Sequence, residues 1–175
     1  MKEQEPQDLP RQQGDLTSVK AISIYQEHLD VLTEAVMEND FPKFNARISL
    51  PHHIQNINAE FHSNSEDEMQ SLFHQAHQIF KFDGITSFIR LVTNASFVSP
   101  TVIVGEHLSE MLRGTTRALP PYRNCLRLVV GNDGIWRETH SVNAIAVKSG
   151  KMGLYDLAIE GRRVPETGLS NSEPS

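Results

Sequence analysis

A change of texture at Asp83-Gly84 constrains the fold more than any other feature. Before it, apolar residues recur at intervals of three and four. After it come four long runs rich in Val, Ile, Leu and Thr: Ile85–Val98, Thr101–Thr115, Tyr122–Val130 and Ile135–Val147. The turn signals between them are short: Ser99-Pro100, then 118–121 (ALPP), then 131–134 (GNDG). Parallel pairing needs a crossover of a dozen or more residues, so runs joined this closely pair antiparallel. The second half therefore reads as an antiparallel meander. Strands of this length twist, and a twisted four-stranded sheet curls, offering a concave side that helices can fill. Helices first and a sheet afterwards make an α+β fold.

In the first half, Thr17 or Ser18 can cap a helix over about 18–38, with Val19, Ile22, Tyr25 or Gln26, Leu29, Leu32, Ala35 and Val36 along one face. Phe41-Pro42 opens a short second helix, about 41–48, since proline suits a first helical turn. Residues 52–61 alternate imperfectly and read as a strand. Ser65 with Glu66, Asp67 and Glu68 forms a capping box, and Met69, Leu72, Phe73, Ala76, Ile79 and Phe80 then trace a third helix over about 66–81. Residues 1–15 and 161–175 hold too little apolar surface to offset chain entropy and are expected to be disordered tails. One domain, 16–160, lies between them. Segment 151–160 can form a strand, a short helix or a strap across a dimer.

Composition narrows the class. With 38% hydrophobic residues the 175-residue chain can bury one core, and no apolar run is long enough for a transmembrane helix. The single cysteine, Cys125, excludes an internal disulfide framework and a cysteine-based zinc cage. The first 25 residues lack the apolar core of a secretory signal, so a cytoplasmic protein is expected. A net charge of −6 argues against nucleic acid as the main partner.

The order of long helix, short helix, strand, third helix and long meander resembles the nuclear transport factor 2-like superfamily, and its SnoaL-like branch in particular. The carrying features are the tract 84–90 (GITSFIR), the hairpin into Val102–His107, the crossing Pro120-Pro121-Tyr122, and 133–136 (DGIW) opening the last strand. The resemblance covers about 18–148. It implies a cystatin-like cone in which three N-terminal helices pack in a strongly curved antiparallel sheet, with a pocket at the wide end. It also implies homodimers formed through the outer sheet face. Functions in this superfamily include cyclases, isomerases, dehydratases, epoxide hydrolases and non-catalytic accessory proteins, so fold does not give function.

Enzymes of that superfamily usually place an Asp, alone or paired with His or Arg, inside the cone, where a dry pocket lifts its pKa toward neutrality. Here no Asp falls on a strand; after Ile85 the carboxylates before Gly150 are Glu106, Glu110, Asp133 and Glu138. Histidine and arginine remain as candidates. Trp136, Glu138 and His140 share one strand face by the two-residue period, so Trp136 can supply an apolar wall while Glu138 and His140 form a proton-transfer pair. The bland alternative puts Trp136 in the core and leaves an exposed Glu–His pair. His107, mid-strand, can bond a ligand carbonyl or act as a base, or sit satisfied at an interface. Arg90 lies beside Phe88 in a very apolar tract and needs a partner: a ligand carboxylate, a second subunit, or Glu138 across the sheet. Tyr25 and Phe88 complete the ligand-binding candidates.

Other clusters carry less. His52-His53 point to opposite faces and cannot easily chelate one ion. His74 and His77 lack an acidic third ligand, so no metal site is expected. Arg113, Arg117, Arg123 and Arg127 form a basic group that reads as an anion-binding rim or as solvated ion pairs. No Gly-rich phosphate loop or nucleophile elbow is present, and no cofactor is expected. The sequence thus points to a cone that binds a small, mostly apolar organic molecule, without catalysis or with an unassigned activity. The alternative is a cofactor-independent acid–base cyclase, isomerase or dehydratase acting on a polyketide- or steroid-like substrate. Both faces of the sheet read as apolar, which predicts a homodimer through the outer one.

Overall fold

The computed structural model describes residues 12–146 and 156–157. The chain forms α1 (Gln12–Glu38), α2 (Phe41–Asn45), β1 (Ile48–Gln55), β2 (Glu60–Ser63), α3 (Glu66–Phe82), β3 (Ser87–Ser99), β4 (Val102–Arg113), β5 (Thr116–Arg117), β6 (Tyr122–Val130), β7 (Trp136–Asn143), β8 (Ile145–Ala146) and β9 (Asp156–Leu157). The long strands lie in the order β2-β1-β7-β6-β4-β3, with β5 on β4, and β8 pairs β9 separately. From β3 to β7 every neighbouring pair is antiparallel, as the short turns require. The pairing of β1 with β7 is parallel. The sheet is therefore mixed rather than wholly antiparallel: α3 and the entire meander separate these two strands, ample chain for a crossover.

Curvature comes from bulges. Register shifts interrupt β3–β4 between Val92 and Asn94 and between Phe97 and Ser99, and β6–β7 between Arg127 and Leu128. An extra residue bends its strand and sharpens the twist. The sheet curls around α1, which lies chiefly against β3. At one end Ala21, Tyr25 and Leu29 of α1 pack on Ala95, Ile103, Leu126 and Leu128, with Phe97 and Trp136 alongside. At another, Phe80 meets Ile85, Met111, Leu119 and Tyr122. Leu32, Phe41, Ile48, Met69 and Phe73 join α1, α2, β1 and α3.

Local sequence explains the joints. Asn39, in the left-handed region at φ 59°, follows α1, and the Asp40 side chain accepts from the Lys43 N–H (3.0 Å) to open α2. Ser65 Oγ accepts from the Glu68 N–H at 3.3 Å, and the Glu68 carboxylate reaches back to the Asn64 N–H at 2.7 Å. The cap is reciprocal, shifted by one residue from the simple box.

Several expectations are corrected. α1 starts at Gln12, not near 18, so part of the expected N-terminal tail is helical; Gln and Leu tolerate a helix well. Its inner face is Ala21, Tyr25, His28, Leu29, Leu32 and Ala35, which leaves Val19 exposed. The single strand expected over 52–61 is a hairpin, closed by Asn56 N–H to Ala59 O at 2.8 Å, and it begins at Ile48, shortening α2. The outer face is not uniformly apolar, since Glu106 faces Arg123 and Glu110 pairs with Arg117 across it. Of segment 151–160, the structure describes 156–157, which form β9. The C-terminal tail, 161–175, and residues 1–11 lie outside the described residues. No described helix is long and apolar enough to cross a membrane.

Candidate functional site

Glu138 sits on β7 with its side chain turned into the cone, buried at 5% exposure. Its Oε1 lies 2.9 Å from His52 Nε2 on β1, and its Oε2 lies 3.5 Å from His28 Nε2 on α1. The first contact is a hydrogen bond; the second falls short of one, and His28 Nε2 has no hydrogen-bond partner. All three residues are buried. Burial alone would push the Glu138 carboxyl up, but the two imidazoles outweigh it and hold the group below the ordinary carboxylate range. The carboxylate is therefore an anion held deep in the fold. The Nδ1 atoms of both histidines are buried without a hydrogen-bond partner.

A second polar group faces it from β3, β4 and β6. Arg90 donates to His107 Nε2 from Nε at 3.3 Å and lies 3.2 Å from it through Nη2. That assigns Nε2 as acceptor, so the proton sits on Nδ1 and is directed at Tyr25 Oη, 3.0 Å away. Tyr25 Oη in turn donates to Gly105 O (2.8 Å) and accepts from the Leu126 N–H (3.1 Å). The Tyr25 ring sits so close that a Cβ on residue 105 would stand 2.7 Å from its Cε2; glycine is required there. Burial, then the neighbouring Arg90 charge, push His107 down to about 3. Burial pushes Tyr25 far up. His107 and Tyr25 are thus a neutral relay that positions Arg90. Asn124 Nδ2 lies 3.3 Å from His107 Nε2 and donates to Ser109 Oγ at 2.6 Å, while its Oδ1 is buried without a partner.

Between the two groups lies a cavity of about 200 Å³. Leu32, Phe80, Phe88 and Met111 give it an apolar body; His52, Arg90, Asn124, Glu138 and Ser141 line its polar side. An anion and a cation thus face one small apolar space. A larger hollow of about 360 Å³ borders Gln55, Ile57, Glu106, Arg123, Cys125 and Val142, mostly half-buried or exposed, and holds no buried charge pair. The buried ionisable side chains line the interior cavity.

The candidates from sequence divide. Glu138, Arg90 and Phe88 line the cavity. His107 and Tyr25 lie behind Arg90, and His107 is not free to act as a base because its acceptor nitrogen is occupied. Trp136 packs edge-on against Phe97 in the core at 5.9 Å, away from the cavity lining. His140 is exposed and does not pair with Glu138. The reason is a bulge: Leu128 pairs with Glu138 and Arg127 with His140, which leaves Thr139 as an extra residue. Strand parity flips there, so Glu138 and Ser141 face inward and His140 outward. Arg90 finds His107 rather than a carboxylate; among the described residues no acidic group lies within 4.0 Å of it. The four arginines of the basic group disperse: Arg113 to Asp83 O, Arg117 to Glu110, Arg123 to Glu106, Arg127 to Thr139. His74 and His77 bond separately to Asn39 and to Val36 O. Sequence reasoning missed His28, His52 and Asn124. His28 was findable, three residues from Tyr25 on the inner stripe of α1.

No family model and no curated protein sequence matches the chain. Solved structures do resemble it. A domain of unknown function with a cystatin-like fold from Nostoc punctiforme is 16% identical over 73% of this chain and 78% of its own, with a TM-score of 0.57. An NTF2-like protein of unknown function from Shewanella oneidensis gives 11% identity, 69% and 96% coverage, and a TM-score of 0.56. A ketosteroid isomerase-like protein from Erwinia carotovora gives 12%, 71% and 95%, and 0.53. The chain has the NTF2-like, cystatin-like fold. At these identities the likeness is one of fold, and the SnoaL-like branch stays an expectation of the sequence.

Proposed function

We propose that the cavity binds a small organic molecule with an apolar body and a carbonyl-type polar handle, and that Glu138 and His52 move a proton on it. One observation carries this reading: a buried carboxylate and a buried imidazole, 2.9 Å apart, line the same cavity as a guanidinium. Arg90 and Asn124 can stabilise an oxyanion as charge develops. At the other wall, the ionised Glu138 orients His52, and the pair accepts and returns the proton. The unpartnered polar atoms of His52 and Asn124 are what a bound ligand would satisfy. The volume matches roughly seven water molecules, which favours a single-ring or short-chain compound over the polyketide- or steroid-sized substrate expected from sequence.

The second reading is binding without catalysis, favoured by how firmly Glu138 is held as an anion. The experiment is a thermal-shift screen of small cyclic ketones, enones and hydroxy acids, followed by proton–deuterium exchange of each stabilising compound in heavy water, read by NMR. Stabilisation with exchange lowered about 100-fold or more by Glu138→Gln supports proton transfer. Stabilisation with no exchange leaves the binding reading alone. No stabilising compound overturns both.

A further inference from the structure

We propose that His53, Glu60 and His62 form a binding site for a divalent transition-metal ion of the zinc class on the outer side of the β1–β2 hairpin. The site is separate from the interior cavity and does not rest on the proton-transfer reading. His53 and His62 are direct cross-strand partners, and Glu60 lies two residues before His62 on the same face. The two imidazole rings stack with centroids 4.3 Å apart and planes 8° from parallel. Both Nε2 atoms address the same carboxylate oxygen: His53 in direct contact with Glu60 Oε1, His62 at 3.7 Å from it. One ligand atom from each residue lies within 4.8 Å of the others. Zinc at about 2.0–2.2 Å from nitrogen and oxygen ligands needs tetrahedral donors roughly 3.4 Å apart. Small rotations reach that geometry, because the Glu60 and His62 side chains are 57% and 60% exposed.

His53 is the fixed member. β1 lies between β2 and β7, and His140 of β7 stands edge-on against the His53 ring at 5.5 Å. Two imidazoles and one carboxylate suit zinc, nickel, cobalt or copper ions and give magnesium or calcium too few oxygen donors. The remaining coordination positions face water. Sequence alone hides the site, since the adjacent pair His52-His53 splits across the sheet and the pair that converges is His53 with His62. An ion there would tie the edge strand β2 to β1, one residue from the His52 that faces Glu138.

The test is isothermal titration of the full chain, free of any polyhistidine tag, with zinc, nickel and magnesium chlorides. One zinc per chain is expected, with affinity falling tenfold or more in His62→Ala and in Glu60→Gln. His74→Ala is expected to bind as the native chain does, and magnesium not to bind. Both altered side chains are exposed, so melting temperatures without metal are expected to match the native chain, and only the zinc-induced rise to disappear. No saturable zinc binding, affinity unchanged by His62→Ala, or magnesium bound equally well overturns the site.

Discussion

At Glu138, His107 and Arg90 the physics of burial separates roles that residue type alone leaves merged. Arg90 was legible in sequence as a charge that a greasy strand cannot hold without a partner, and Glu138 as a candidate proton-transfer group on its strand face. Their partners were not, because they come from distant elements. His28 arrives from α1, and His52 from a strand that begins at Ile48, four residues before the start its alternation suggests. His107 was legible as mid-strand, yet its role depends on which nitrogen carries the proton, and Arg90 decides that. A pH prediction follows from its depressed folded-state value. The unfolded imidazole takes up a proton near 6.5, while the folded one refuses it until about 3. The contribution of neutral His107 is therefore fully present above about 6.5 and is lost as the pH falls toward 3. Between pH 7 and 4.5 this one residue should cost the native chain roughly 2 kcal/mol. Urea unfolding at both values checks it against His107→Gln, which can still accept from Arg90 but does not titrate. Equal losses in the two proteins would remove the claim.

Among the elements, the capped helices and the turn-bounded strands were readable and the irregularities were not. The stripe from Met69 to Phe80 and the acidic turn after Ser65 define α3 because capping and amphipathicity are local. Ser65→Ala removes one acceptor for the Glu68 N–H and is expected to cost about 1 kcal/mol, lowering the melting temperature by roughly 2–4 °C. Calorimetry reads this directly, and an unchanged melting point would mean the Glu68–Asn64 bond alone holds the turn. A bulge has no such local signature. The two-residue period correctly turns Glu138 inward and then fails one residue later, because Thr139 is extra in the ladder with β6. The same device in β3, between Val92 and Asn94, keeps Arg90 and Val92 on the face of Ala95 despite odd spacing. Bulges thus supply the curvature that makes a cavity and also scramble the pattern by which its lining would be read.

For the molecule as a whole, the cone was legible because strand length, short turns and helix order leave few topologies. The parallel β1–β7 pair was not, since nothing local records a partner that lies about half the chain away. Among the described residues the sheet ends at β3, a 13-residue edge strand. Its outward row carries Ile89 and Leu91, the latter 58% exposed, and Val98 lies near its end. Soluble proteins rarely leave so long and apolar an edge open, because it templates pairing with another chain. The charged ladder over β4 and β6 limits the apolar strip to this side, so a second copy is expected to cover β3 rather than the whole outer face. Sedimentation equilibrium should give a mass near twice 19.7 kDa, and Leu91→Asp should shift it toward one chain. That side chain is already exposed, so the variant should keep the native circular-dichroism spectrum and melting transition of a folded cone. A native chain that sediments as a single copy at tens of micromolar would end the dimer prediction.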